Sequence, residues 1–132
     1  PRVLAGYGEV LARVGKADEA VELLEKALSL DPVPQGQINS DNRYTDLTLA
    51  YFYSENFEKC IEIGKKIEHM NFQSWALVNF SKSKLDALDT EEPYLKKGLK
   101  EFKEDSWEPK VDRLHLPDEK TQLDLLNFLN SL

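Results

Sequence analysis

The residues with chemical potential are few and scattered. His69 and His115 stand alone, with no second ligand at metal-binding spacing. Cys60 is the sole cysteine, so an internal disulfide is excluded and a reducing, cytoplasmic setting is expected. Cys60 also falls where a helical pattern wants a small packed residue, and reads as a buried thiol. Gly6, Tyr7 and Gly8 lie inside a helical pattern and form no phosphate loop. Asn79, Phe80 and Ser81 fit the N-glycosylation triplet but also fall in a helical pattern. The carboxylates suit helix first turns and solvated faces. No nucleophile, base and orienting group assemble, so no enzyme, cofactor or metal is expected.

Charge narrows the partner class. The chain has 132 residues, 17 basic and 24 acidic, for a net charge of −7. Phosphate backbones need a positive patch, so nucleic acid is not expected, nor is an anionic membrane surface. No apolar run of membrane-spanning length occurs. The chain starts at Pro1 and its only methionine is Met70, which reads as a piece of a longer protein. Apolar content of 41% with 31% charged residues is a globular balance.

The elements that would position any site are helical hairpins. In residues 1–32, Leu4, Tyr7, Leu11, Leu24 and Leu28 make apolar stripes at three- and four-residue spacing. Gly8 and Ala20 sit where two antiparallel helices would cross most closely. Gly15 is placed to end the first helix in a left-handed cap. Asp18 and Glu19 follow at the dipole-favoured start of the second, and Pro32 stops it. A second copy lies 40 positions on, with Tyr44, Leu47, Tyr51, Phe57, Cys60, Ile67 and Met70 in register. The inserted stretch VPQGQINSDN reads as an exposed loop, with Ser40 or Asp41 capping the next helix. A third, weaker pair is expected at 75–88, capped by Ser74, and at 91–104, with Pro93 allowed near the start. Gly64 and Gly98 lie mid-helix, 34 positions apart. Close packing between neighbouring repeats is the favoured explanation, and backbone access for a ligand the other.

Leu4, Tyr7, Gly8, Leu11, Ala20, Leu24, Ala27 and Pro32 together resemble the tetratricopeptide repeat (TPR) family. The resemblance implies an all-α fold. It would be a TPR-like superhelix of about three hairpins (1–32, 42–72 and 74–104), a connector at 105–116 and a C-terminal capping helix at 117–132. It further implies a non-catalytic scaffold that takes a peptide or protein on its concave face. Carried over from the family, that face holds Arg2, Ala5, Glu9, Ala12 and Arg13 in the first repeat. In the second it holds Asn42, Thr45, Leu49, Phe52 and Tyr53, and in the third Asn79 and Lys82. Phe52 and Tyr53 would suit an apolar or aromatic anchor. Ala5, Glu9 and Asp46 depart from the subtype that clamps acidic chaperone tails, so such tails are not expected.

Two alternatives remain open from the sequence. The wide apolar stripe of the last helix (Leu123, Leu125, Leu126, Phe128, Leu129, Leu132) could support self-association into a homo-oligomer. Trp75-Ala76-Leu77, Ser106-Trp107 and the closing leucine-rich helix are loosely similar to C-terminal TPR regions of bacterial cyclase-like enzymes and winged-helix regulators. That similarity implies a regulatory arm.

Overall fold

A computed structural model describes residues 11, 15–30 and 38–132; the first-repeat positions Arg2, Ala5, Glu9, Ala12 and Arg13 lie outside them. The described residues are all-helical, with no strand. The helices are α1 (Ala17–Leu30), α2 (Ile38–Tyr53), α3 (Phe57–Lys65), α4 (Phe72–Lys84), α5 (Pro93–Phe102), α6 (Glu108–Asp112) and α7 (Glu119–Asn130). Each of α1 to α4 packs on the next, α2 also packs on α4, and α4 packs on α5 and α7.

Left-handed residues punctuate this order. Gly15 (φ 86°) stands just before α1, and Glu55 (φ 63°) and Asp86 (φ 54°) each follow a helix end. At each, the next amide reaches back five residues: Lys16 N to Leu11 O, Asn56 N to Tyr51 O, and Ala87 N to Lys82 O. This is the Schellman closure, which satisfies carbonyls the helix leaves orphaned. Gly15 accepts the conformation without a Cβ penalty, whereas Glu55 and Asp86 adopt it against their intrinsic preference.

Several boundaries differ from the expected ones. Helix α2 begins at Ile38, ahead of both Ser40 and Asp41, so neither caps it and half of the expected loop is helical. Once a helix is nucleated each further residue adds a hydrogen bond, which outweighs modest propensities. Helix α4 begins at Phe72, and its cap is Asn71 rather than Ser74. The Asn71 carboxamide oxygen accepts the Ser74 amide at 2.9 Å, which places Ser74 in the first turn. Helix α4 ends at Lys84 because Asp86 turns left-handed, short of the expected 88. The 105–116 connector contains the short helix α6, whose Val111 is buried.

Helix α4 is the centre of the molecule. All residues from Gln73 to Lys82 are buried, as a helix covered on every side must be. Its two neighbours approach at glycines. A Cβ on Gly64 of α3 would land inside the Val78 side chain, and one on Gly98 of α5 inside the Trp75 indole. Beyond Gly98 the core is aromatic. The Trp75 and Trp107 rings stack at 5.8 Å, Phe72 stacks on Trp107 at 6.0 Å, and Phe102 tilts against Trp75 at 5.7 Å. The Trp75 indole N–H donates to Tyr94 O at 3.2 Å, so the large ring is buried without an orphaned donor. On the α3 side Cys60 and Gly64 are buried, and in α1, which packs on α2, Ala20 and Ala27 are fully buried. No helix among the described residues is long and apolar enough to cross a membrane.

Candidate functional site

The aromatic pair singled out from the sequence sits at the C-terminal end of α2. Phe52 points inward and is 5% exposed. Its ring stacks on Phe80 of α4 at 5.4 Å and meets Phe57 of α3 edge-on at 5.6 Å. Phe80 in turn stacks on Phe128 of α7 at 5.3 Å. Three helices are thereby joined through one column of rings, with α3 at its side. Ring pairs at these distances add roughly 0.5–1.5 kcal/mol each beyond the area they bury.

Tyr53 is half-buried, and its hydroxyl donates to the Asp118 carboxylate at 2.9 Å. Asp118 is the N-cap of α7 and also accepts the Thr121 amide at 2.9 Å and the Thr121 hydroxyl at 2.8 Å. The sequence suggests a helix starting at Pro117; the helix begins after Asp118 because that carboxylate supplies the cap. Partial desolvation works to raise the Asp118 pKa, but donors from Thr121 and Tyr53 and the nearby Lys120 charge outweigh it and hold it below the ordinary value. Burial is the main cause that pushes the Tyr53 phenol well up, so it remains a proton donor to Asp118.

Between these helices lies a cleft of about 200 Å³. Phe52, Tyr53, Phe57 and Phe80 form its aromatic wall, and Thr121 lines the α7 side. Glu55, Lys84 and Asp124 form its charged rim. Glu55 reaches the rim because it occupies the left-handed turn after α2. The Lys84 ammonium lies 4.7 Å from the Phe80 ring centroid and 5.8 Å from that of Phe57. Phe80 and Lys84 are four apart on α4, the spacing that puts two side chains on one helix face.

The remaining expected partner-binding residues are not gathered on one open face. Asn42 is exposed on α2. Thr45 bonds α2 to the next hairpin: its hydroxyl accepts from the Asn71 carboxamide at 2.8 Å, and its carbonyl accepts from the Gln73 carboxamide at 3.0 Å. Leu49, Phe52, Asn79 and Lys82 are corrected from surface to core, all buried. Leu49 is apolar and buried where α2 faces its neighbours. Asn79 donates to Trp75 O at 2.8 Å, bonding back along its own helix, while its carboxamide oxygen is buried without a partner. Lys82 makes a bidentate pair with Glu92 at 2.6 and 2.7 Å, which keeps its charge compensated under cover. All four sit on helices sandwiched between neighbours, so a periodicity that marks one outward face does not apply to them.

The sequence reading missed Glu55, Phe57, Phe80, Lys84, Thr121 and Asp124 as cleft residues. The Phe80/Lys84 spacing was a visible signal. The approach of α7 to α2 was not, because Tyr53 and Asp118 are far apart in the chain.

Further hollows occur among the described residues. One lies between α6 and α7, lined by Val111, Leu123 and Leu126 with Glu108, Asp112, Glu119 and Gln122. Another lies between α1 and α2, beside the hydrogen bond from the Tyr51 hydroxyl to Glu25. Among the described residues, no group of three or more His, Cys, Asp and Glu side chains could hold a metal ion. Cys60 is fully buried, and burial pushes its thiol up to about 12.

Comparison with protein-family models, with curated proteins and with solved structures finds no match in any of the three.

Proposed function

We propose that the chain is a non-catalytic protein-interaction module of the tetratricopeptide type, and that a partner segment docks where α2, α4 and α7 meet. The observation that carries this reading is the cleft at that junction, walled by Phe52, Tyr53, Phe57 and Phe80 and rimmed by Glu55, Lys84 and Asp124. A concave site with aromatic walls and a few convergent polar groups is the usual form of a recognition pocket. The repeated left-handed turns after Leu11, Tyr53 and Lys84, and the packing of α2 on α4, support the TPR assignment. So does the eight-residue pattern in the first 32 positions. Fold alone names no ligand, so the cleft carries the functional half of the reading.

The test is site-specific photo-crosslinking in the source cell. A photoreactive residue replaces Asp124 at the cleft rim, and a control replaces Lys97, exposed on α5. An adduct formed from the cleft and missing from the control supports the reading. Identical adducts, or none from the cleft, would oppose it.

A specific observation favours a second reading, self-association. Leu123 is 57% exposed beside the α6/α7 hollow, where the half-buried Leu126 continues the apolar surface. Sedimentation over a wide concentration range decides this one. A dimer that Leu123→Glu converts to monomer supports it, and a strict monomer removes it.

A further inference from the structure

The α2/α4/α7 cleft has the chemistry of a cation receptor. The faces of Phe57 and Phe80 already hold one ammonium, that of Lys84, within the range of about 6 Å at which a cation is attracted to a ring face. Glu55 and Asp124 line the same cleft, and Asp118 stands behind Tyr53. Two carboxylates thus share the cleft with one lysine, and a third lies one hydrogen bond beyond its Tyr53 wall. Lys84 itself is exposed and makes no ion pair with a described residue, so the aromatic faces, rather than a carboxylate, position it. An anionic ligand would meet repulsion from this rim. A purely apolar one would leave its carboxylates without use.

We infer that the cleft receives a cationic side chain (lysine, methylated lysine or arginine) from a partner protein segment, and that Lys84 is a resident occupant which the incoming group displaces. The inference rests on the interaction-module reading and specifies the chemistry of its partner. A cleft of about 200 Å³ suits one side-chain head and part of its stem. The displaced Lys84, on an exposed final turn of α4, can swing into water at little cost. The chain's net charge of −7 favours approach of a basic segment.

The test is amide chemical-shift mapping on the full isotope-labelled chain. The probes are end-blocked glycine-flanked peptides whose central residue is lysine, trimethyl-lysine, arginine, norleucine or glutamate. The three cationic peptides should move the amides of Tyr53, Glu55, Lys84 and Thr121. Norleucine, with the same stem and no charge, should bind at least about tenfold more weakly, and glutamate should leave these amides still. Lys84→Gln removes the competitor and should tighten cationic binding about threefold; Asp124→Asn should weaken it about threefold. Both positions are exposed, and thermal melts confirm that the variants fold. Norleucine binding as well as lysine, unmoved cleft amides at ~10 mM cationic peptide, or weaker binding by Lys84→Gln would each overturn the inference. If crosslinking traps a partner at the cleft but charge makes no difference, only this inference falls. If cationic peptides bind but no partner is trapped, the interaction-module reading falls instead.

Discussion

The two seams on either side of α4 solve one packing problem with different materials. Gly64 and Gly98 each let a neighbouring helix approach α4. On the α3 side the glycine faces a Val78 methyl with the Thr48 methyl next to it, and Cys60, one turn earlier on α3, is fully buried. On the α5 side it faces the Trp75 indole, embedded among Phe72, Phe102 and Trp107. A valine methyl can yield, but only if the side chain and its helix shift together. An indole hemmed in by three rings has nowhere to go. The same residue, 34 positions apart, is therefore the looser constraint on one side and the stricter one on the other.

The largest expected effect comes from emptying the aromatic side. Trp75→Ala should cost about 3–5 kcal/mol, read from urea unfolding, because the cavity is walled by rigid rings. A cost under about 1 kcal/mol would mean that the aromatic seam is not tightly packed.

Next in size is the glycine pair itself. Alanine gains about 1 kcal/mol of helix propensity over glycine, and overpacking costs about 1–3 kcal/mol. At Gly64 these terms nearly offset, so Gly64→Ala should be destabilising by about 1 kcal/mol or less. At Gly98 the strain term wins, and Gly98→Ala should lose about 2 kcal/mol. The reverse order in thermal or urea melts would break the comparison.

A smaller effect separates the helix turns of the two sides. Gly15 is left-handed at no steric cost, while Asp86 adopts the same conformation with a side chain. Asp86→Gly should therefore stabilise the fold, by up to about 1 kcal/mol; Gly15→Ala should destabilise it although a Cβ there meets nothing within 4 Å.

The smallest expected effect is electrostatic and ties α7 back to α2. The folded-state pKa of Asp118 is depressed below its ordinary 3.8. Its contribution is present in full above that unfolded value and is lost as pH falls through the lower folded one. Asp118→Asn keeps an acceptor for the cap but removes the charge. The stability difference between wild type and Asp118→Asn should be constant near neutrality and should shrink on acidification below about pH 4. A difference that does not change with pH would place the carboxylate's role in geometry alone.

Much of the architecture was legible because it is local. The all-helical class follows from apolar stripes at three- and four-residue spacing, and the cap at Gly15 from glycine's freedom at positive φ. Glu55 and Asp86 close the same kind of turn without announcing it, since any residue can be forced left-handed when the hairpin requires it. Helix α2 ran past its expected start because propagation outweighed the cap-prone residues before Asn42. The site was less legible. Phe52 and Tyr53 marked the right end of α2, but alternation along one helix cannot show that Phe52 stacks on Phe80 or that Asp118 returns to Tyr53. Lys82 and Asn79 look like surface residues by type. They are core residues because α4 is covered by α2, α3, α5 and α7, a property of its neighbours and not of its own sequence.

Native-state hydrogen exchange tests the central claim most directly, that α4 is the shared layer of both seams. In the wild type, amides from Gln73 to Lys82 should be the most protected and should exchange only through global unfolding. In Gly98→Ala, the protection of α4 and α3 amides should fall together with that of α5. Loss confined to α5, with α3 and α4 unchanged, would contradict the claim and make the two seams separate units.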